Sequence, residues 1–300
     1  MMNSDFIETS IEWPTWLAIV FVYSSWWYIL VNFEVIPLAP VLLTVVLAFH
    51  GSVQHELMHG HPTKSQTIND ILAYPPVALW YPYSVYKNSH LLHHKVASLT
   101  MPVEDPESFY LSAEEWDRDG TMRNRFAIFN MTLLGRLLLG PLWSFVGLKR
   151  QMIDSVKGSS FRQSLVWTVH ELLVLILLLL VGIFFEINVL LYILCAYLAQ
   201  SLNLLRSFYE HRAAEHQTER SVIMNTWLPM RLLYLNNNYH LVHHERPDIC
   251  WYNLHIEYKE RMHEYKRMSG GYIESGYSSW FKKYLFKPVD HPKHKGFSLL

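Results

Sequence analysis

Hydrophobic and polar positions alternate along this chain in long blocks rather than at the period of a soluble helix or strand. Residues Trp16 to Phe33 carry no charge and are long enough to cross a bilayer. Glu34 and Pro37 mark a short turn, and Val35 to Gln54 is again uncharged. Ser164 to Phe185 and Ile187 to Leu205 repeat the design around a turn at Glu186. The pattern predicts four spans, about 16–33, 35–54, 164–185 and 187–205, arranged as two hairpins. Trp13, Trp16, Trp26 and Trp27 are placed either as interfacial anchors or as packing between helices.

Between the hairpins the pattern is broken. Residues 71–86 are apolar but carry Pro75, Pro76 and Pro82, which predicts a segment along the interface rather than a straight span. Residues 104–125 are polar and acidic and read as solvated. Phe126 to Leu148 is apolar but contains Arg136, Gly140 and Pro141, which predicts an interfacial or re-entrant helix. The tail beyond Asn253 has no new apolar run and reads as a cap. The fold class expected is all-α, integral to the membrane, over a single domain covering 1–300.

Composition agrees: 51% of residues are hydrophobic, 15% aromatic and only 17% charged. A net charge of −1 argues against a nucleic-acid partner. The two cysteines, Cys195 and Cys250, suggest neither a disulfide framework nor a Cys-x-x-Cys site. The first dozen residues carry Asp5, Glu8 and Glu12 without Lys or Arg, so a cleavable signal peptide is not expected and the mature chain is expected to begin here. Lys and Arg are frequent between the second and third spans and absent from the turns at Glu34 and Glu186. The positive-inside rule then places both termini and every histidine cluster in the cytoplasm.

Those clusters carry the chemistry. His-x-x-His-His occurs at His90, His93 and His94 and again at His240, His243 and His244, although about 0.05 occurrences are expected at this composition. His55 and His59 are one helical turn apart at the end of the second span. Residues three and four apart share a helix side, so each triplet is expected to point at one spot. Imidazole is a common ligand for zinc, iron and copper, and eight such groups exceed one tetrahedral zinc, so two metals are the economical reading.

Three histidine boxes in this order, between two apolar hairpins, resemble the membrane fatty acid desaturase and hydroxylase superfamily, over about residues 15–255. Asp105-Pro106-Glu107-Ser108 after the second box, and Pro247 with Trp251-Tyr252-Asn253-Leu254 after the third, are similar to bacterial acyl-lipid desaturases. The resemblance implies two ferrous ions, O2 as co-substrate, and a ninth ligand from Ser207-Phe208-Tyr209-Glu210-His211, with His216 as the fallback. It implies a cytoplasmic histidine cap, a bacterial inner-membrane location, and desaturation of a fatty acyl chain, with no catalytic residue beyond the metal cluster.

Glu56, Asp105 and Glu210 are candidate acceptors that would fix the imidazole tautomers. His61 is read as a helix-end residue, His50 as polar core and His170 and Glu171 as interfacial. His255, His263, His291 and His294 are read as surface residues. The chain carries no flavin, nicotinamide, iron–sulfur or haem signature, so a separate ferredoxin, rubredoxin or cytochrome with its reductase is expected to supply electrons. Rival readings are hydroxylation or ketolation of a lipid, carotenoid or alkane, and desaturation of a smaller aliphatic metabolite. A membrane zinc protease is more distant: His55-Glu56-Leu57-Met58-His59 satisfies its signature, but the other boxes then have no task. A metal transporter or haem-binding protein would carry its histidines deep in the spans. Substrate headgroup, double-bond position and oligomeric state lie beyond the sequence.

Overall fold

The computed structural model describes residues 11–158 and 161–296; Asp5 and Glu8, which shaped the reading of the N-terminus, lie outside them. In chain order the α-helices are α1 (Trp13–Val31), α2 (Ala39–Met58), α3 (Gln66–Ala73), α4 (Tyr83–His93), α5 (Ala113–Arg118), α6 (Gly120–Asn130), α7 (Leu133–Lys157), α8 (Phe161–Leu179, extended by a π turn to Phe184) and α9 (Val189–Arg206). They continue with α10 (Leu228–Leu233), α11 (His240–Glu245), α12 (Trp251–Glu260), α13 (Met262–Met268) and α14 (Tyr277–Tyr284). Among the described residues the one sheet is a parallel pair of two-residue strands, Ile223 opposite Ile273 and Met224 opposite Glu274.

Four helices are long and apolar enough to cross a membrane: Trp13–Val31, Ala39–Met58, Phe161–Phe184 and Val189–Tyr209. The all-α membrane architecture expected from the sequence is therefore present, with boundaries moved by local chemistry. The second span starts later than expected because Leu38 takes a left-handed conformation (φ 61°) and Pro40 opens the helix. It then runs on through His55 to Met58 and stops before Gly60, at φ 96°.

The chain divides into two compact units. Among the described residues one comprises 11–87, 140–158 and 161–203, with α1 packed on α2. Its proline-broken segment is not loose. Tyr23 Oη donates to the Leu72 carbonyl (2.6 Å), Gln54 to Ala73 (2.8 Å), Tyr192 Oη to Val77 (2.7 Å) and His170 Nε2 to Leu79 (3.1 Å). Four carbonyls of this segment thus meet a donor from one of the long helices, as irregular backbone beside apolar helices requires. His170 is accordingly buried in mid-helix rather than interfacial, and Glu171 pairs with Lys149. His50 is polar core, as expected, beside Tyr23 Oη at 3.4 Å. His61 does more than end a helix: its Nδ1 lies 2.9 Å from the Glu12 carboxylate.

The other unit comprises residues 88–139 and 204–296. One of its cores gathers Leu133, Leu205, Phe208, Tyr234, Tyr277 and Trp280, and a second joins the third histidine box to α12 and α13 through Leu241, Val242, Leu254, Tyr258 and Tyr265. The tail beyond Asn253 thus forms part of this packed unit.

Arg136, Gly140 and Pro141, which interrupt the apolar run in sequence, do not interrupt the helix. Helix α7 runs through Pro141, and the chain instead turns by 117° between α6 and α7. At that corner the Gly135 N–H donates to Thr132 Oγ1 (2.9 Å), capping the new helix. A Cβ on Gly135 would sit 1.8 Å from the Phe129 carbonyl oxygen, so only glycine admits the approach. Gly147, further along α7, has nothing within 4 Å of such a Cβ. Gly135→Ala should therefore destabilise the protein by roughly 1–3 kcal/mol, whereas Gly147→Ala should stabilise it by about 0.5–1 kcal/mol. Thermal unfolding of the two variants in detergent checks the opposite signs.

Candidate metal centre

Helix periodicity brings the second and third boxes together, but it splits each of them. Relative to the first histidine, the residue three on is rotated about 60° one way and the residue four on about 40° the other. His90 and His94 consequently approach through Nε2 (3.0 Å), as do His240 and His244 (3.1 Å), while His93 and His243 point elsewhere. The expectation that each triplet aims at one spot is corrected: each box gives a pair to one group and its middle histidine to the other.

The first group is His93, His211, His240 and His244, whose ring nitrogens all lie within 4.8 Å of one another. His211 is its hub, with Nε2 3.0 Å from His93 Nε2 and 2.9 Å from His240 Nε2. The Glu-His segment after the fourth span thus delivers His211 to the box histidines, and the fallback His216 is exposed. The second group contains His90, His94 and His243, with His94 and His243 rings 4.7 Å apart. The two groups adjoin where His94 stacks on His244, at 4.2 Å between centroids. In the other unit, His55 and His59 stand one turn apart at the end of α2, with ring centroids 4.9 Å apart. Glu56 is buried between them in sequence.

Oxygen acceptors fix the other ring nitrogens. His93 Nδ1 donates to Asp105 Oδ1 at 2.7 Å, both groups being fully enclosed. His90 Nδ1 faces both Glu107 oxygens at 3.2 Å. His240 Nδ1 faces Asn237 Oδ1 at 3.1 Å and Glu210 Oε1 at 3.3 Å, and Arg206 holds that same glutamate oxygen at 2.8 Å. His211 Nδ1 pairs with Ser221 Oγ at 3.2 Å. Of the acceptors expected from the sequence, Asp105 and Glu210 take this position. Glu107 and Asn237 were not singled out, although Glu107 stands in the Asp-Pro-Glu-Ser run and Asn237 one helical turn before His240.

A carboxylate can only accept, so Nδ1 of His90 and His93 carries the hydrogen and Nε2 carries a lone pair. The Nε2 lone pairs of His93 and of His240, whose Nδ1 faces Asn237 and Glu210, then both meet His211 Nε2, at 3.0 and 2.9 Å; a single hydrogen on His211 can serve one of them, whereas a cation among the three serves all. Metal–nitrogen bonds of about 2.1 Å set neighbouring nitrogens about 3–3.4 Å apart, so the donor set fits a metal ion bound by imidazoles.

The electrostatics point the same way. Burial, then the neighbouring His93, holds His211 well below the ordinary histidine value; burial and adjacent histidines do the same for His240 and His244. Burial also lowers His93, but the Asp105 hydrogen bond and the Glu107 charge outweigh it and raise the net value. Burial raises Glu107, yet His90 brings it down to about 2, so it is a carboxylate. Burial raises Glu210 against the pull of Arg206.

Three of these imidazoles stay neutral when folded, whereas the unfolded chain protonates them below the ordinary value of 6.5; the raised His93 opposes them with one group. Metal-free protein should therefore lose stability as the pH falls from about 7.5 to about 5.5. Melting temperatures in chelator at the two pH values test the sign, and an unchanged or higher value at the lower pH would contradict it.

The family model described as fatty acid desaturase matches residues 32–276, a span that contains all three histidine boxes and His211. No curated protein matches the chain. The family and the histidine clusters describe a membrane oxidoreductase of the desaturase and hydroxylase type with a lipid substrate and a metal centre. By sequence, by its four long apolar helices and by its histidine geometry, the protein belongs to the fatty acid desaturase family.

Proposed function

We propose that the protein is an O2-dependent di-iron desaturase that introduces a double bond into the aliphatic chain of a fatty acyl lipid. The observation that carries this reading is the inward convergence of the Nε2 atoms of His93, His211 and His240, whose Nδ1 atoms are held by Asp105, by Ser221, and by Asn237 with Glu210. One ion is assigned to His93, His211, His240 and His244. The other is assigned to His90, His94 and His243; His55 and His59 are proposed as further ligands, with residues 1–300 read as one catalytic domain. An all-nitrogen set favours iron over magnesium or calcium, and the family favours iron over zinc.

Bound iron supplies the activation of oxygen needed to take hydrogen from an unactivated C–H bond. The chain's own residues prepare the place. Asp105 accepts the Nδ1–H of His93 through Oδ1, which also accepts the Glu107 N–H (2.9 Å), while its Oδ2 accepts the Thr100 N–H (2.8 Å). With three donors the carboxylate cannot rotate, and the His93 ring is fixed in plane and tautomer. Burial of His90, His93, His240 and His243 keeps water from the ligands, which protects a strong oxidant from quenching. Arg206 orients Glu210 against His240 in the same manner.

Electrons are assigned to a separate ferredoxin, rubredoxin or cytochrome with its reductase. The distribution of Lys and Arg favours a cytoplasmic site and a bacterial inner membrane as its home. Hydroxylation or ketolation is the alternative outcome, because return of oxygen to the carbon radical gives an alcohol. Expression in a host lacking the activity, followed by mass spectrometry of its lipids, separates the two: desaturation removes two hydrogens, and hydroxylation adds one oxygen. An unchanged lipid profile beside an active, zinc-loaded peptidase would overturn the reading.

Alanine at His93 or His243 should abolish turnover while the protein still inserts in the membrane; full activity in either variant would refute the ligand assignment. Asp105→Asn keeps an acceptor but loses its charge, and should lower iron affinity or turnover about 10–100-fold. Iron content and rate per purified protein measure both.

A further inference from the structure

We propose that His294, on a C-terminal strap over residues 289–296, is a positioning residue for the His93 site: it pins Thr100, which holds the Asp105 carboxylate. The inference rests on the metal reading above. No local pattern marks it, since His294 stands in a polar tail and reads as a surface residue; in the structure it is buried.

The strap is laced to the loop that follows the second box. The Val289 N–H donates to the Met131 carbonyl (2.9 Å), the Leu111 N–H to Pro292 (2.8 Å) and the His294 N–H to Leu111 (3.0 Å). Tyr110 Oη donates to Asp290 Oδ2 (2.9 Å) and accepts the Ala213 N–H (3.1 Å). The Tyr110 ring meets His294 edge-on at 5.1 Å. These contacts set the imidazole, and the Gly296 N–H sets its tautomer by donating to Nδ1 at 3.0 Å. The remaining hydrogen is therefore on Nε2, which donates to Thr100 Oγ1 at 3.2 Å.

Thr100 needs such a tether. Its φ of 75° is a left-handed conformation that a β-branched residue rarely adopts. In that conformation its N–H reaches Asp105 Oδ2, its carbonyl accepts Ser108 Oγ (2.6 Å), and the preceding Leu99 carbonyl accepts Arg220 Nη1 (2.7 Å). A relay of side chain and backbone thus runs from His294 through Thr100 and Asp105 to His93 Nδ1. Releasing its outer end frees Thr100 to relax toward an ordinary conformation, withdrawing one of the three donors that hold Asp105.

Two measurements on purified full-length protein test this. In metal-free protein, His294→Ala and Thr100→Val should each speed amide hydrogen exchange at Thr100 and Glu107 about tenfold, and leave exchange in α12 unchanged. In protein loaded with ferrous iron, both should speed iron transfer to ferrozine about tenfold, the low end of the effect of losing a ligand's partner. The double variant should add little to either single one. His294→Gln, whose amide can donate from the same place, should restore wild-type rates; Lys293→Ala, which removes only the strap's pair with Asp117, should leave them unchanged. If His294→Ala does not fold, Thr100→Val and His294→Gln decide alone. Wild-type exchange in the variants, or faster exchange without faster iron release, overturns the proposal. Faster exchange in a protein whose wild-type form takes up no iron would leave the tether standing and remove the metal reading instead.

Discussion

Everything at the histidine centre depends on one asymmetry of the imidazole ring. A carboxylate on one nitrogen forces the hydrogen to that side and leaves a lone pair on the other. Asp105 and Glu107 impose this on His93 and His90, and Asn237 with Glu210 does so on His240. The fold then drives the Nε2 lone pairs of His93 and His240 onto one atom, His211 Nε2, which can carry a hydrogen for only one of them. Only a cation reconciles the packing with the charge distribution, which makes the acceptors as important as the ligands. Fixing a ring by its far nitrogen also orders the site before any metal enters it.

Much of the architecture was legible because membrane spans write themselves in long uncharged runs. The four spans and both hairpin turns stand close to where hydropathy puts them. What hydropathy misses is local stereochemistry. The Pro141 ring does not end α7, while an inconspicuous Thr132–Gly135 pair makes the 117° corner. Segment 71–86 reads as a stretch along the interface, and four of its carbonyls are claimed by Tyr23, Gln54, Tyr192 and His170 from distant parts of the chain. No local pattern encodes such partners.

The site was legible in outline for a different reason. Histidine spacing is a helical property and survives in sequence, so the box histidines stand out in the chain, while His211 is pointed to by the family resemblance. Their partition could not be read from a triplet treated as one face; it needed the opposite rotations of the third and fourth residues. Asp105 and Glu210 stand next to recognisable motifs, whereas Glu107 is recruited by the turn that Asp105 builds, through the Glu107 N–H bonded to Asp105 Oδ1. His294 shows the limit, because its role comes from pairing between Leu111 and a strap almost two hundred residues away.

The most direct test of the central claim is X-ray absorption at the iron edge of the purified, iron-reconstituted protein. Iron held by these histidines should show a first coordination shell dominated by nitrogen at about 2.0–2.2 Å, with the multiple-scattering signature of several imidazoles. A shell dominated by sulfur or by oxygen with few imidazoles, or protein that turns over with no iron bound, would contradict it.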